Sequence, residues 1–164
     1  IGIGIFGVDQ WLKYVFLQGF SFDSYVITLG GNALVYNDGV AFSMFAFLGI
    51  YLKYIQSIIL VALCGLIIYG GFIERHYVPF GLILGAGASN VLDRFMHGGV
   101  VDYVFWHYGF EFAIFNFADS SIIVGFASLF LVTIYYFCYE LIKESKLKKA
   151  PQKPQVNEDK IDEK

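Results

Sequence analysis

The chain has 164 residues, of which 57% are hydrophobic, 20% aromatic and only 15% charged, whereas a typical soluble domain has about 25% charged residues. Its net charge is −3, and residues 1–142 contain only four Lys or Arg, so the chain lacks the clustered basic surface that nucleic-acid binding requires. These values predict one compact membrane domain and exclude a nucleic-acid partner.

Four stretches are predicted to be transmembrane helices. Crossing a hydrocarbon core of roughly 30 Å takes about 20 mostly apolar residues, and three stretches reach that length while a fourth comes close. The predicted spans are 1–17, 50–73, 77–95 and 116–142. The first is short, and because the chain starts at Ile1 and not at Met, we expect this span to be clipped.

The charges at the end of the chain predict its orientation in the membrane. Residues 143–164 contain seven Lys and five Asp or Glu, and such basic segments favour the cytoplasm. We therefore expect residues 1–142 to form the membrane-embedded domain and residues 143–164 to form a disordered cytoplasmic tail. With four spans both termini are cytoplasmic, and the connections 18–49 and 96–115, which contain no Lys or Arg, lie outside.

Both outer connections contain β-branched and aromatic runs that are typical of short strands. The first connection has predicted strands at 25–29, 33–36 and 40–45, with Asn37-Asp38-Gly39 as a hairpin turn between the last two. The second, from Val100 to Phe115, has the same character, and its Trp106 suits the lipid–water interface. The predicted fold is thus four membrane helices with a small extracytoplasmic β-sheet and an interfacial loop segment.

With this topology, the polar side chains at membrane depth gather near the outer leaflet. A charged side chain at the bilayer centre costs about 3 kcal/mol on insertion scales, so such residues are candidates for function. The candidates are Asp9, Lys13, Asn90, Asp93, Arg94, Asp102, Asn116 and Asp119. A structural role is an alternative for several of them.

Two pairs of these residues have a structural explanation from spacing alone. Asp9 and Lys13 are four residues apart, so they can neutralise each other on one helix face. Asp93 and Arg94 can form ion pairs with other elements at the membrane interface. Spacing leaves both roles open for these four residues.

Asp119 has a structural explanation from spacing, whereas Asp102 does not. Asn116 and Asp119 have the spacing of a helix N-cap and its reciprocal partner, and the helix dipole favours a carboxylate there. Asp102 has no basic residue nearby in the sequence, which favours a role in a functional site. No metal or cofactor is predicted, since His76, His97 and His107 lack the spacing of a helical metal site.

Five blocks of sequence between residues 8 and 119 resemble a known family. In order, they are Val8–Lys13 (VDQWLK), Asn37–Phe42 (NDGVAF), Ser89–Arg94 (SNVLDR), Gly99–Tyr103 (GVVDY) and Phe115–Asp119 (FNFAD). Together these blocks resemble the signature blocks of the lipoprotein signal peptidases, also called signal peptidase II. One departure is visible, because Ser89 stands where the family usually has Gly.

The resemblance implies a bacterial inner-membrane aspartic endopeptidase. Such an enzyme removes the signal peptide from a prolipoprotein by cutting before the Cys that carries diacylglycerol. By motif position, its catalytic aspartates fall on Asp102 and Asp119. The supporting and substrate-binding residues fall on Asp9, Lys13, Asn37, Gly39, Asn90, Asp93, Arg94 and Asn116. The implied partners are the lipid-modified substrate and membrane lipid, and nothing in the sequence demands more than a monomer.

A pair of carboxylates suits peptide hydrolysis without a metal or a covalent intermediate. Two close carboxyl groups cannot both ionise easily, so one can act as base toward water while the other acts as acid. Asp119, near a helix start, is the better candidate for the base. The alternative function is a proton- or cation-coupled transporter, which is disfavoured because the inner halves of spans two and four contain few polar residues. A third hypothesis is an assembly protein whose charges only hold helices together.

Overall fold

The chain is mainly helical. A computed structural model describes residues 1–39, 44–71 and 73–149. Its four α-helices are α1 (Gly2–Leu17), α2 (Tyr51–Tyr69), α3 (Ile73–His97) and α4 (Phe117–Lys149). Within the described residues, α2 and the segment Phe117–Lys146 of α4 are long and apolar enough to cross a membrane. One compact unit comprises Ile1–Val132, and a second unit begins at Thr133 within α4.

The first three helices lie close to the predicted spans. α1 matches the first span, and α2 ends at Tyr69, before two glycines of which Gly71 has a φ of 66°. In α3, His76 has non-helical backbone angles (φ −128°, ψ 22°), so the regular helix begins after it. Pro79 then lies in the first turn, where its missing N–H is not needed for a helical hydrogen bond.

The fourth helix is longer than predicted. It continues past residue 142 to Lys149, so residues 143–149 are helical and the prediction of a disordered tail was wrong for them. Lys, Glu and Leu are strong helix formers, and they extend a helix that has already been nucleated. Residues 150–164 of the predicted tail lie outside the described residues.

The two connections that were predicted to lie outside pair with each other in two small antiparallel sheets. Their strands are β1 (Ser21–Asp23), β2 (Ile27–Gly30), β3 (Val35–Asn37), β4 (Val100–Asp102) and β5 (Val104–Trp106). One sheet has the order β1-β2-β5, and the other pairs β3 with β4 so that Val35 faces Asp102 and Asn37 faces Val100. Both sheets therefore bring the second connection against the first.

Among the described residues, the strand that pairs with β3 is β4 and not a strand after the predicted turn Asn37-Asp38-Gly39. β3 pairs with β4, more than sixty positions along the chain, and Met44 and Phe45 lie in a turn, not in a strand. Residues 40–43 of the predicted strand lie outside the described residues. The turn signal was local, whereas the partner of β3 was determined by tertiary pairing that turn chemistry cannot reveal.

Glycines of α3 let its neighbours approach closely, since small residues allow close helix packing. A Cβ added to Gly85 would lie 2.8 Å from the Cα of Gly2 on α1. A Cβ added to Gly87 would lie 3.0 Å from the Cδ1 atom of Leu60 on α2. Both glycines therefore serve close helix packing, and the contact at Gly85 places the polar residues of α1 beside those of α3.

Candidate active site

Asp102 lies at the end of β4 and is 1% exposed. The pairing of β3 with β4 brings Asn37 near it, and Asn37 donates a hydrogen bond from Nδ2 to Oδ2 of Asp102 over 3.0 Å. Asn116 donates from Nδ2 to the other carboxyl oxygen, Oδ1, over 2.6 Å. Both oxygens of Asp102 thus have an amide donor.

Asp119 lies in the first turn of α4, and Asn116 is the residue before that helix. The backbone N–H of Asp119 donates to Oδ1 of Asn116 over 2.8 Å, and the backbone N–H of Asn116 donates to Oδ2 of Asp119 over 3.1 Å. The capping pair that the spacing predicted is therefore present. The remaining oxygen of Asp119, Oδ1, accepts a hydrogen bond from Nδ2 of Asn90 over 2.9 Å.

The buried Asn116 side chain joins the two aspartates. Its Nδ2 atom contacts Asp102 and its Oδ1 atom contacts the backbone of Asp119, while none of the residue is exposed. Burial, and next the nearby charge of Asp119, raise the pKa of Asp102 to about 7, although the hydrogen bonds from Asn37 and Asn116 act in the opposite direction. Near neutral pH, Asp102 therefore populates both its protonated and its ionised form.

A buried cluster of one lysine and two carboxylates lies between α1 and α3. Nζ of Lys13 is 2.6 Å from Oδ2 of Asp9 and 2.6 Å from Oδ2 of Asp93. It also donates to Oδ1 of Asn90 over 2.9 Å, and the lysine is only 2% exposed. The ion pair predicted from the spacing of Asp9 and Lys13 is present. Asp93, from α3, forms a second ion pair with the same lysine.

Each carboxylate of this cluster also holds the backbone immediately before a candidate catalytic aspartate. Oδ2 of Asp93 accepts a hydrogen bond from the N–H of Val101 over 3.1 Å, one residue before Asp102. Oδ1 of Asp9 accepts one from the N–H of Ala118 over 2.9 Å, one residue before Asp119. The Lys13 cluster thus links the positions of the two aspartates.

Two members of this network were not predicted as site residues. Oγ of Ser89 donates to Oδ2 of Asp9 over 2.6 Å. Nε2 of Gln10 contacts both Oδ1 of Asp93, at 2.7 Å, and Oγ of Ser89, at 2.9 Å. These donors compensate for the excess of carboxylates over ammonium groups. Gln10 lies next to Asp9 and Ser89 lies next to Asn90, both inside the sequence blocks quoted above. Their place in these blocks was the feature of the sequence that could have identified them as site residues.

Arg94 holds the turn that carries Asn37. Its Nη1 atom lies 3.3 Å from the carbonyl oxygens of Asn37 and Asp38, and its Nη2 atom donates to the carbonyl oxygen of Gly39. The N–H of Gly39 in turn donates to Oδ1 of Asn37 over 3.0 Å. Ion pairs with other elements were suggested from the sequence for both Asp93 and Arg94. Asp93 forms such a pair with Lys13 of α1, whereas Arg94 contacts backbone carbonyl groups.

A cavity of about 320 Å³ opens beside these residues. Its wall is largely apolar and its polar groups belong to Asn37, Gln56, Asn90, Arg94 and Asp119. Such a mixture is typical of a ligand site, in which apolar walls supply affinity and a few polar groups fix orientation. Within the described ranges, no group of three or more His, Cys, Asp or Glu side chains is placed to hold a metal ion.

The match to a family model covers most of this chain. The model described as signal peptidase (SPase) II matches residues 1–135. The chain belongs to the signal peptidase II family. Family members named lipoprotein signal peptidase include one from Helicobacter pylori, 50% identical over 136 residues (80% of this chain and 83% of the relative). Another, from Wolinella succinogenes, is 51% identical over 133 residues (80% and 88%).

Solved structures similar to this signal peptidase are bacterial membrane enzymes. One, determined by the in meso method at 2.3 Å resolution, has a TM-score of 0.66 and 26% identity, covering 93% of this chain and 91% of the other. A second, at 1.9 Å, has a TM-score of 0.65 and 25% identity, covering 83% and 88%. Family membership makes the chain a membrane protease of lipoprotein processing and gives no support to the transporter alternative.

Proposed function

We propose that Asp102 and Asp119 are the catalytic pair with which this signal peptidase removes the signal peptide from diacylglyceryl-modified prolipoproteins, cutting before the lipidated Cys. The observation that carries the proposal is the buried Asn116, which is hydrogen-bonded to both aspartates. A shared amide holds the two carboxyl groups close enough for one to influence the ionisation of the other.

In the proposed reaction, Asp119 is the base and Asp102 is the acid. The Asp119 carboxylate takes a proton from water, whose oxygen attacks the scissile carbonyl carbon while Asp102 gives its proton to the carbonyl oxygen. As the C–N bond breaks, Asp119 gives its proton to the leaving nitrogen and Asp102 recovers one from a hydroxyl of the diol. The pKa of about 7 for Asp102 supports the acid role, because the proton is available near neutral pH.

The supporting residues are proposed to keep the pair in this arrangement. Lys13, Asp9 and Asp93 fix the backbone before each aspartate, as described above. Arg94 and Gly39 shape the turn from which Asn37 reaches Asp102. A constellation whose side chains are locked by buried hydrogen bonds is pre-organised for reaction, so it needs little rearrangement in the transition state.

The proposed topology has four spans, cytoplasmic termini and an active site near the outer leaflet of the bacterial inner membrane. Besides α2 and α4, α1 and the regular part of α3 would cross the membrane; the latter has a length of about 30 Å at 1.5 Å per residue. Aromatic residues of the sheet connections, Phe22, Tyr25 and Trp106 among them, are exposed and suit the lipid–water interface. In this proposal, residues 1–142 act as a monomer in contact with membrane lipid, and the C-terminal tail lies in the cytoplasm.

Two isosteric substitutions test the catalytic pair. Asp102→Asn and Asp119→Asn should each lower the turnover of a diacylglyceryl-modified precursor in liposomes by on the order of 10³-fold or more, because each removes an acid–base group. Asp23→Asn is the matched control, since Asp23 lies on the exposed strand β1 and bonds Thr28. Cleavage by either active-site variant at near the wild-type rate would refute the proposal.

The same variants separate the proposal from its rivals. A transporter would carry protons or cations across the liposome membrane, and the peptidase proposal expects no such coupled flux. A protein in which the charges only hold helices together would lose thermal stability in both Asn variants. If an Asn variant loses cleavage but unfolds at a temperature close to that of the Asp23→Asn control, the result supports a catalytic role and contradicts a purely structural one.

A further inference from the structure

Gln56 is an amide side chain in the apolar helix α2. Its Oε1 atom is buried, and among the residues that the structure describes none donates a hydrogen bond to it. A buried acceptor without a donor is costly, and an amide within a membrane helix is costly as well. Gln56 thus needs a partner that the described part of the chain does not provide.

Packing contacts place Gln56 at the level of the candidate active site. One turn before it on α2, Nζ of Lys53 lies 5.1 Å from the ring centre of Phe95 on α3. One turn after it, Leu60 packs against Gly87. The helices run in opposite directions, so Gln56 lies opposite the part of α3 between Gly87 and Phe95, which contains Asn90 and Arg94.

Two residues that have an unpaired polar atom line the cavity beside the candidate active site. Gln56 lines the same cavity as Asn90, Arg94 and Asp119. Arg94 contributes a second unpaired group, because its Nε atom is buried and lacks an acceptor among the described residues. Two residues of the cavity wall thus carry a buried acceptor that lacks a donor and a buried donor that lacks an acceptor among the described residues.

These two groups fit the polypeptide of a substrate better than its lipid. A diacylglyceryl thioether contains ester oxygens and a sulfur, which accept hydrogen bonds, but no N–H or O–H that could donate to Oε1 of Gln56. A peptide unit presents one N–H and one C=O, which match the unpaired oxygen of Gln56 and the unpaired Nε–H of Arg94. The unpaired groups of the cavity wall therefore favour the main chain of the substrate, and not its lipid, as the partner of Gln56.

We propose that Gln56 is a substrate-recognition residue that accepts a hydrogen bond from a main-chain N–H of the prolipoprotein bound in this cavity. The identity of the substrate rests on the proposed function. The bond adds affinity for the polypeptide next to the scissile bond and does not take part in proton transfer. Asp119 and Gln56 line one cavity, so a peptide held by Gln56 is also presented to the candidate base.

The first experiment compares Gln56→Met with wild type on a synthetic diacylglyceryl-modified peptide. Met keeps the length of the side chain and removes the oxygen, so kcat/KM should fall about fivefold to tenfold, the value of one hydrogen bond. Ser57→Ala is the matched control. Its hydroxyl donates to the carbonyl oxygen of Lys53 within α2 and does not line the cavity, so kcat/KM should stay within twofold.

The second experiment identifies the hydrogen bond itself. A set of the same peptides is N-methylated at one main-chain nitrogen at a time and cleaved by wild type and by Gln56→Met. At the contacting position, methylation should weaken cleavage by wild type but cause little further loss in Gln56→Met, because the bond is already absent. If both enzymes lose the same factor at every position, the role of Gln56 is refuted. Failure of wild type to cleave the unmethylated peptide would instead refute the proposed function, and this role with it.

Discussion

Nδ2 of Asn116 lies 2.6 Å from Oδ1 of Asp102, while Oδ1 of Asn116 accepts the N–H of Asp119. One side chain thus acts at the same time as a helix cap and as a donor to the opposite carboxyl group. The side-chain oxygen of Asn116 caps the start of α4, and its side-chain nitrogen holds the carboxyl group of Asp102 at the end of β4. The distance between the two aspartates therefore depends on this amide.

Replacing Asn116 by Ala should impair catalysis more than stability. Loss of the cap should lower the free energy of unfolding by about 1 kcal/mol. Misplacement of both carboxyl groups should lower kcat/KM on the order of 10²-fold. Ser128→Ala serves as the control, because its hydroxyl donates to the carbonyl oxygen of Gly125 within α4. A variant with normal kcat/KM and the same loss of stability would show that the amide is a cap only.

The pH dependence of cleavage should follow the protonation of Asp102. If Asp102 is the acid, kcat/KM should fall as the pH rises through about 7, where burial and Asp119 have placed the pKa of Asp102. Asn37 donates to the ionised carboxylate, so Asn37→Ala should raise this pKa further and move the alkaline limb to higher pH, with a lower maximum rate. The measurement is a kcat/KM profile from pH 5 to 9, with Asp23→Asn as the control. A limb that moves to lower pH in Asn37→Ala would contradict the assignment.

Removal of the Lys13 charge should destabilise the protein strongly. Lys13→Met leaves Asp9 and Asp93 buried without their cation, which typically costs about 3–5 kcal/mol of unfolding free energy. Lys143→Met is the contrasting control, because Lys143 and Glu140 are exposed and 3.9 Å apart, and such a pair contributes at most about 1 kcal/mol. Thermal unfolding in detergent micelles would measure both.

The double neutralisation of the carboxylates tests the cause of that loss. Asp9→Asn and Asp93→Asn, added to Lys13→Met, remove the unpaired charges and should restore part of the stability. Cleavage should remain low in this triple variant, since the backbone before each proposed catalytic aspartate has lost a charged acceptor. An equally unstable triple variant would mean that packing of the lysine stem, and not charge, accounts for the loss.

The close contact of α1 with α3 should be sensitive to one methyl group. Gly85→Ala would place Cβ 2.8 Å from the Cα of Gly2, and such overpacking costs about 1–3 kcal/mol. Gly65→Ala on α2 is the matched control, because a Cβ there meets nothing within 4 Å. It should be neutral or stabilise by about 0.5–1 kcal/mol, since Ala favours a helix. Equal unfolding temperatures for the two variants would contradict the packing at Gly85.

Local signals in the sequence predicted the elements of the site well. Hydropathy located the helices, spacing predicted the pairing of Asp9 with Lys13, and the motif of Asn116 and Asp119 predicted the cap. Each of these features is contained within about one helical turn. The sequence pattern therefore carries the physical information needed to identify them.

Contacts between distant segments could not be derived in the same way. Nothing in a single sequence identifies Asp93 as the second partner of Lys13, or β4 as the partner of β3. Ser89 and Gln10 were missed because an uncharged side chain is conspicuous only once its buried charged partner is known. The family resemblance indicated Asp102 and Asp119, and the structure adds the side chains that connect them.

The hydrogen bond between Asp9 and the N–H of Ala118 has a consequence for biosynthesis. It joins residues 109 positions apart, so neither end can hold the other until most of the protein has been translated. A nascent chain that contains only α1, α2 and α3 has the residues of the lysine cluster but not Asn116 or Asp119. On the proposed catalytic role of Asp119, the protease is therefore inert until the last helix has been made and has docked.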